Sequence, residues 1–219
     1  MDAVGTDVDL VLLTAARTIV DHAEEFAQLD AVAGDGDFGF SLRAGFEVVL
    51  ADYESFDHSS VGALLKKIGF TIAGKVGGVS GPIWGTAFMR AGAAAGDRTE
   101  LTGPEVVEAM RAAVEGVKHR GQAEVGDKTL LDALVPAIDA LEAALTAGDD
   151  GATALQHAAD AAVTAAEGTL GMLAKRGRAA YTGERSRDSV DAGATAIGVI
   201  LQAISAAWRD SRHSEGVSP

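Results

Sequence analysis

Apolar residues in this chain recur at three- and four-residue spacing in one segment after another, and that rhythm, interrupted by clusters of glycine, constrains the fold more than any single motif. Leu10, Leu13, Val20, Ala23 and Phe26 mark one face of a helix expected from a Thr6 cap, with Asp9 at the third helical position, to about Leu29. Leu42, Phe46, Val49 and Leu50 mark a second helix. Val61, Leu64, Leu65, Ile68 and Ile72 mark a third, which begins near Ser60 and stops in glycines. The same reading places helices over 82–95, from Pro104 to about His119, from an Asp127 cap to Leu145, over the alanine-rich 150–175 and over 194–208. Aromatic residues make up only 5% of the chain while alanine is abundant, which suits closely packed helices better than sheets.

About eight helices joined by loops of moderate length imply an all-α fold. Antiparallel neighbours in such a bundle bring alternate loops to the same end. At 219 residues the chain can bury one sizeable core, so a single domain over 1–210 is expected, with 211–219 as a disordered tail. The formal net charge of −14 excludes wholesale binding of nucleic acid or an anionic membrane, so any anionic ligand must be met by local positive charge. Without cysteine there is no disulfide framework, thiolate metal site or cysteine nucleophile. The acidic start lacks the basic region of a secretory signal, and no apolar run approaches the ~20 residues of a membrane span, which leads to the expectation of a cytoplasmic protein.

Three stretches carry chemistry. Asp30, Asp35 and Asp37 surround Gly34 and Gly36 just after the first helix. Carboxylates about 4 Å apart repel by roughly 4 kcal/mol per pair at an effective dielectric near 20, so such a cluster calls for cations. Mg²⁺ carrying a phosphate ligand fits that need. The alternative is a helix stopped by Gly34, with Asp37 capping the next helix and Asp35 solvated. An EF-hand fits poorly, since the Glu at the twelfth position and the alternating ligands are missing.

Gly77-Gly78-Val79-Ser80-Gly81-Pro82 offers backbone N–H groups, a hydroxyl and a helix N-terminus to a phosphate, without the Gly-Lys-Ser/Thr ending of a Walker loop; it can equally be a plain connector. Lys175, Arg176, Arg178, Arg185 and Arg187 reverse the local sign of an acidic chain, either to face a phosphoryl group or as a solvated loop with surface ion pairs. The five histidines are scattered and no Ser-His-Asp order appears, so no covalent intermediate on the chain is expected.

Together these stretches resemble the family of nucleotide-binding L subunits of dihydroxyacetone kinases, a domain also found at the C-terminus of single-chain ATP-dependent kinases. The matching pieces are Leu29-Asp30 with Gly34 to Gly39, the Gly77 to Pro82 loop with Gly85-Thr86, Gly126-Asp127-Lys128-Thr129-Leu130-Leu131-Asp132, and Lys175 to Thr195 with its Arg178 and Asp191-Ala192-Gly193. The resemblance implies an antiparallel eight-helix barrel with a nucleotide site formed by loops at one end. It implies that Asp30, Asp35 and Asp37 hold two Mg²⁺ ions bridging the phosphates of ADP or ATP. Phe38, Gly39 and Ser41 would lie against the phosphates with Gly78, Val79 and Ser80. Gly121 and Leu130 would face the adenine, and Arg178, Asp191, Ala192 and Gly193 the other edge of the nucleotide, with Arg178 as the catalytic cation.

It also implies a separate K subunit carrying dihydroxyacetone, and in one version a phosphohistidine protein of the phosphotransferase system that recharges bound ADP. Phe38 replaces the family's usual His, Ser41 its frequent Asn, and Ala192 its usual Pro. Other acceptors the resemblance admits are a related ketose, such as a four-carbon one, or a fatty acid, but the Arg178 to Asp191 block fits the dihydroxyacetone type better. A nucleotide-loaded regulator of a transcription factor is a reading from a different class.

Overall fold

Short connections make each helix double back on the one before it, and the computed structural model, which describes residues 4–215, shows where that leads. The helices are α1 (Thr6–Asp21), α2 (Ala23–Ala33), α3 (Phe38–Asp52), α4 (Val61–Lys75), α5 (Ser80–Ala95), α6 (Gly103–Gly121), α7 (Leu131–Ala147), α8 (Gly151–Glu167) and α9 (Ala192–Glu215). Two stretches of 3₁₀ helix lie at Tyr53–Ser55 and Arg178–Asp188, and no strand occurs among the described residues. From α3 to α9 each helix packs on the next; α9 returns to α1, and α1 closes on α3. The result is the all-α fold that the spacing implied, closed into the antiparallel barrel that the resemblance implied, with α2 as an offshoot of α1 packed on α3, α9 and the 3₁₀ segment.

The up-and-down order gathers the N-termini of α3, α5, α7 and α9 at one end, with the C-termini of α2, α4, α6 and α8. At the other end Val4 N–H donates to the His58 carbonyl and Gly5 N–H to that of Thr99, both at 3.0 Å, tying the start of α1 to the loops before α4 and α6.

The packing explains how so few aromatics suffice. Phe46 is buried edge-on against Trp84 and Phe88, at 6.3 and 6.2 Å between ring centroids. Each such side chain contributes roughly 1.5–3 kcal/mol by leaving water. Ala154, Ala158, Ala162 and Ala166 form a thin buried stripe on α8 at four-residue spacing. Backbones meet where α4 crosses α5: a Cβ on Gly69 would lie 2.7 Å from the Gly85 carbonyl oxygen, so a larger residue there would push the helices apart.

Several local expectations are corrected. The first helix does not run unbroken to Leu29; it breaks at His22 (φ −96°, ψ 9°), which re-aims α2 towards the 3₁₀ segment. Gly5, not Thr6, occupies the N-cap of α1, and Val79 rather than Ser80 that of α5, neither with a side-chain cap. Thr102 and Glu105 form a capping box that starts α6 one residue before Pro104. Asp127 does not cap α7, which begins at Leu131; Asp132 instead accepts from Gly126 N–H and Thr129 N–H in the loop ahead of it. The alanine-rich helix ends at Glu167, not 175, because the chain turns there into the loop that precedes α9. Residues 211–215 of the expected tail continue α9, whereas 216–219 lie outside the described residues.

Candidate functional site

The end where the four helix N-termini gather is built first by a local bend. The last turn of α2 presents Asp30, whose Oδ2 accepts from Gly36 N–H at 2.8 Å. That fold-back needs Gly36 at φ +77°, in the left-handed region, and it needs no side chain at Gly34, where a Cβ would lie 2.3 Å from Asp30 Oδ1. Asp37 stands at the N-cap position of α3, but its side chain accepts no capping hydrogen bond. One oxygen from each of Asp30, Asp35 and Asp37 lies within 4.8 Å of the others. Burial raises the pKa of Asp30, opposed by the Gly36 N–H and reinforced by the charges of Asp35 and Asp37. Three hard oxygen donors at such spacing, with two of them exposed, fit a divalent cation that keeps room for waters or phosphate oxygens.

These carboxylates edge a cavity of about 500 Å³. Gly78, Val79 and Ser80, at the N-terminus of α5, line it on one side. Phe38 forms an apolar wall backed by the buried Phe26, with ring centroids 6.4 Å apart. Gly121, at the end of α6, and Leu130, just before α7, line the cavity across from these. Asp191, Ala192 and Gly193 complete it at the start of α9, where Asp191 Oδ1 accepts from Ala194 N–H at 2.7 Å. Burial pushes the Asp191 carboxyl up to about 7. The first-turn N–H groups of α7 and α9 are largely taken by Thr129, Leu130 and Asp191, but each helix N-terminus on this rim still carries a partial positive charge, which favours an anion in the cavity.

Two of the anticipated residues do not line the cavity. Gly39 is buried beneath the bend, where a Cβ would fall 1.8 Å from the Ala23 carbonyl oxygen. Ser41 lies further along α3, close to Gly77.

Among the five clustered basic residues the structure divides the labour. Arg178 pairs with Asp35 and places Nη2 3.9 Å from Asp37 Oδ2, so of the five it is the one that pairs with the acidic triad. Lys175 and Arg176 pair with Asp127 at 3.2 and 3.3 Å, and Arg187 with Glu184 at 2.8 Å. Arg185 Nε donates to the Val32 carbonyl at 2.7 Å, satisfying the last turn of α2. Sequence reasoning placed Arg185 only within the basic cluster and assigned no role to Lys128, a residue 3% exposed whose amine is bonded to three carbonyls of the loop after α8. Lys128 sits in a motif that the sequence displays, but nothing local announces that its charge is buried.

Residues 32–206 match the DAK2 domain family. The ADP-binding subunit DhaL of the PEP-dependent dihydroxyacetone kinase of Escherichia coli is 37% identical over 86% of this chain and 90% of its own length. The L-erythrulose kinase of Pectobacterium atrosepticum is 39% identical over 89% of this chain, which spans 33% of that enzyme. The crystal structure of the dihydroxyacetone kinase from C. freundii in complex with AMP-PNP and Mg²⁺ has a TM-score of 0.72 at 26% identity, covering 94% of this chain and 35% of that one.

Proposed function

The chain belongs to the DAK2 domain family, and from that premise we propose that it is the nucleotide-binding, phosphoryl-transferring subunit of a dihydroxyacetone-type kinase acting in the cytoplasm. The observation that carries this reading is the acidic triad and Arg178 facing one cavity that helix N-termini also face. Asp30, Asp35 and Asp37 would hold Mg²⁺, two ions by family resemblance, which when bound neutralise the phosphate tail of ADP or ATP. The N–H groups from Gly78 to Ser80 take phosphate oxygens at the start of α5. Phe38 lies against the phosphates beside the bend, and Gly121 and Leu130 face the base. Arg178 is the catalytic cation, able to leave the bend and meet charge on the phosphoryl group as it transfers.

The chain contributes position and charge, and the phosphoryl group passes in line to a hydroxyl of the ketose without a covalent enzyme intermediate. The ketose is presented by a separate K subunit. Relatives named PEP-dependent and PTS-dependent support a donor cycle in which bound ADP is recharged by a phosphohistidine protein. A four-carbon ketose is the second reading for the acceptor, favoured by the likeness to an L-erythrulose kinase.

The test is to denature the purified protein and identify what it releases. Stoichiometric ADP that survives dialysis supports the recharged cofactor, and an empty site that binds Mg²⁺ and ATP supports exchange at each turnover. A protein that neither releases nor binds adenine nucleotide with Mg²⁺ overturns the reading. Turnover with a K subunit, using dihydroxyacetone against erythrulose, decides the acceptor.

A further inference from the structure

Lys128 is the basic side chain most removed from solvent among the described residues, and the proposed reaction leaves it unused. Its backbone lies in the left-handed region at φ +62°, where glycine or asparagine is the unstrained choice, so the site retains a lysine against local preference. The reason is visible at its amine. Nζ donates to the carbonyls of Met172 at 3.2 Å, Ser186 at 2.5 Å and Ser189 at 2.6 Å. Three protons meet three acceptors, so although the residue borders the cavity its ammonium has no donor left for a phosphate.

The three carbonyls belong to the two legs of one loop, Met172 before Arg178, and Ser186 and Ser189 after it. The same neck is stitched by Ser186, whose Oγ donates to the Gly183 carbonyl at 2.7 Å and accepts from Ala174 N–H at 3.0 Å. Gly171 N–H closes it further onto the Arg187 carbonyl at 3.1 Å. Beyond the neck, Arg178 is exposed and reaches the bend only through its ion pairs, an interaction too weak by itself to order a loop.

We propose that Lys128 is a positioning residue for phosphoryl transfer: its buried ammonium cross-links the neck of the 172–189 loop and so holds Arg178 over the acidic bend. The role in transfer rests on the function proposed above; the cross-link does not. Removing the amine leaves three inward carbonyls without a donor and lets the loop open.

Lys128→Met, Arg178→Ala and the double variant test this in the full chain, with amide hydrogen exchange and calorimetric titration of ADP and Mg²⁺. Lys128→Met should speed exchange about tenfold or more across 172–189 while α4, α5 and α6 keep their protection. Each single change should weaken nucleotide binding about tenfold, and the double variant no more than the weaker single one, because the lysine acts through the arginine. Multiplying losses, near 100-fold in the double variant, or unchanged exchange in the loop, would overturn the proposal. A generally structural lysine gives the multiplying result. If Lys128→Met does not fold, Lys128→Gln, which keeps an amide donor on a shorter stem, takes its place in the same cycle. Should the wild type bind no nucleotide, the functional reading fails, while the exchange measurement still decides whether the amine closes the loop.

Discussion

The acidic bend and the arginine loop stand at the same end of the barrel and are built in opposite ways. In the bend, Asp30 is held by Gly36, six residues away, and all three carboxylates come from one stretch of eight residues. In the loop, shape comes from Lys128, and contact with the rest of the site from Arg185 on α2 and Arg178 on the bend, all distant in sequence. A site that must gather repelling charges is secured by short-range geometry that forms with the helix. The exposed Arg178 sits on a segment tied at its base by Lys128 and at its flank by Arg185.

The largest effect should break the bend itself. Asp35→Asn or Asp37→Asn is expected to abolish binding of Mg²⁺ with ADP, a loss beyond about 100-fold, with the helical circular dichroism unchanged. Equal nucleotide affinity in titration calorimetry would remove the metal role of the bend.

Gly39→Ala should come next. The added Cβ would meet the Ala23 carbonyl, a backbone atom that cannot swing away, so α3 must move off α2. The expected cost is about 1–3 kcal/mol in urea unfolding, with weaker Mg²⁺ binding because the bend shifts with the helix.

On the other side of the comparison, Arg185→Ala removes the donor to Val32 and should cost only about 0.5–1.5 kcal/mol, while exchange rises at 178–188 and not in the bend. If the bend opened as well, the two regions would be coupled more tightly than their separate construction implies.

The gentlest test is a pH slope. Asp191 keeps its proton to about pH 7 in the folded chain, whereas an unfolded aspartate loses it near 4. Between these values the folded state binds more protons, so this group makes the wild type less stable as pH rises, and the loss levels off above about 7. Asp191→Asn keeps an oxygen acceptor for Ala194 N–H and should become progressively more stable relative to wild type across that window, as read by urea unfolding at successive pH values. A constant difference would mean that burial does not hold that proton.

Much of the architecture is visible in the sequence, and the misses have physical causes. Helical spacing identifies the staves because a helix buries residues three and four positions apart whatever it packs on. Ends are less visible: the break at His22 and the stop at Glu167 depend on where the chain must turn to meet other elements. Asp127 reads as a cap from its place before a helix, yet the long-range partners Lys175 and Arg176 claim it. Gly39 and Ser41 belong to the family motif, and the structure sets Gly39 against α2 and Ser41 beside the cavity-lining Gly77.

The amino-acid order by itself determined the helical class, the antiparallel run and the acidic bend, since each rests on hydrogen bonds and sterics among near neighbours. Only the tertiary structure decided that Arg178 faces Asp35, that Lys128 is buried and that α9 closes on α1. Those pairings join residues far apart in the chain: the antiparallel run brings their loops to one end, and closure of the ring sets the distances between them.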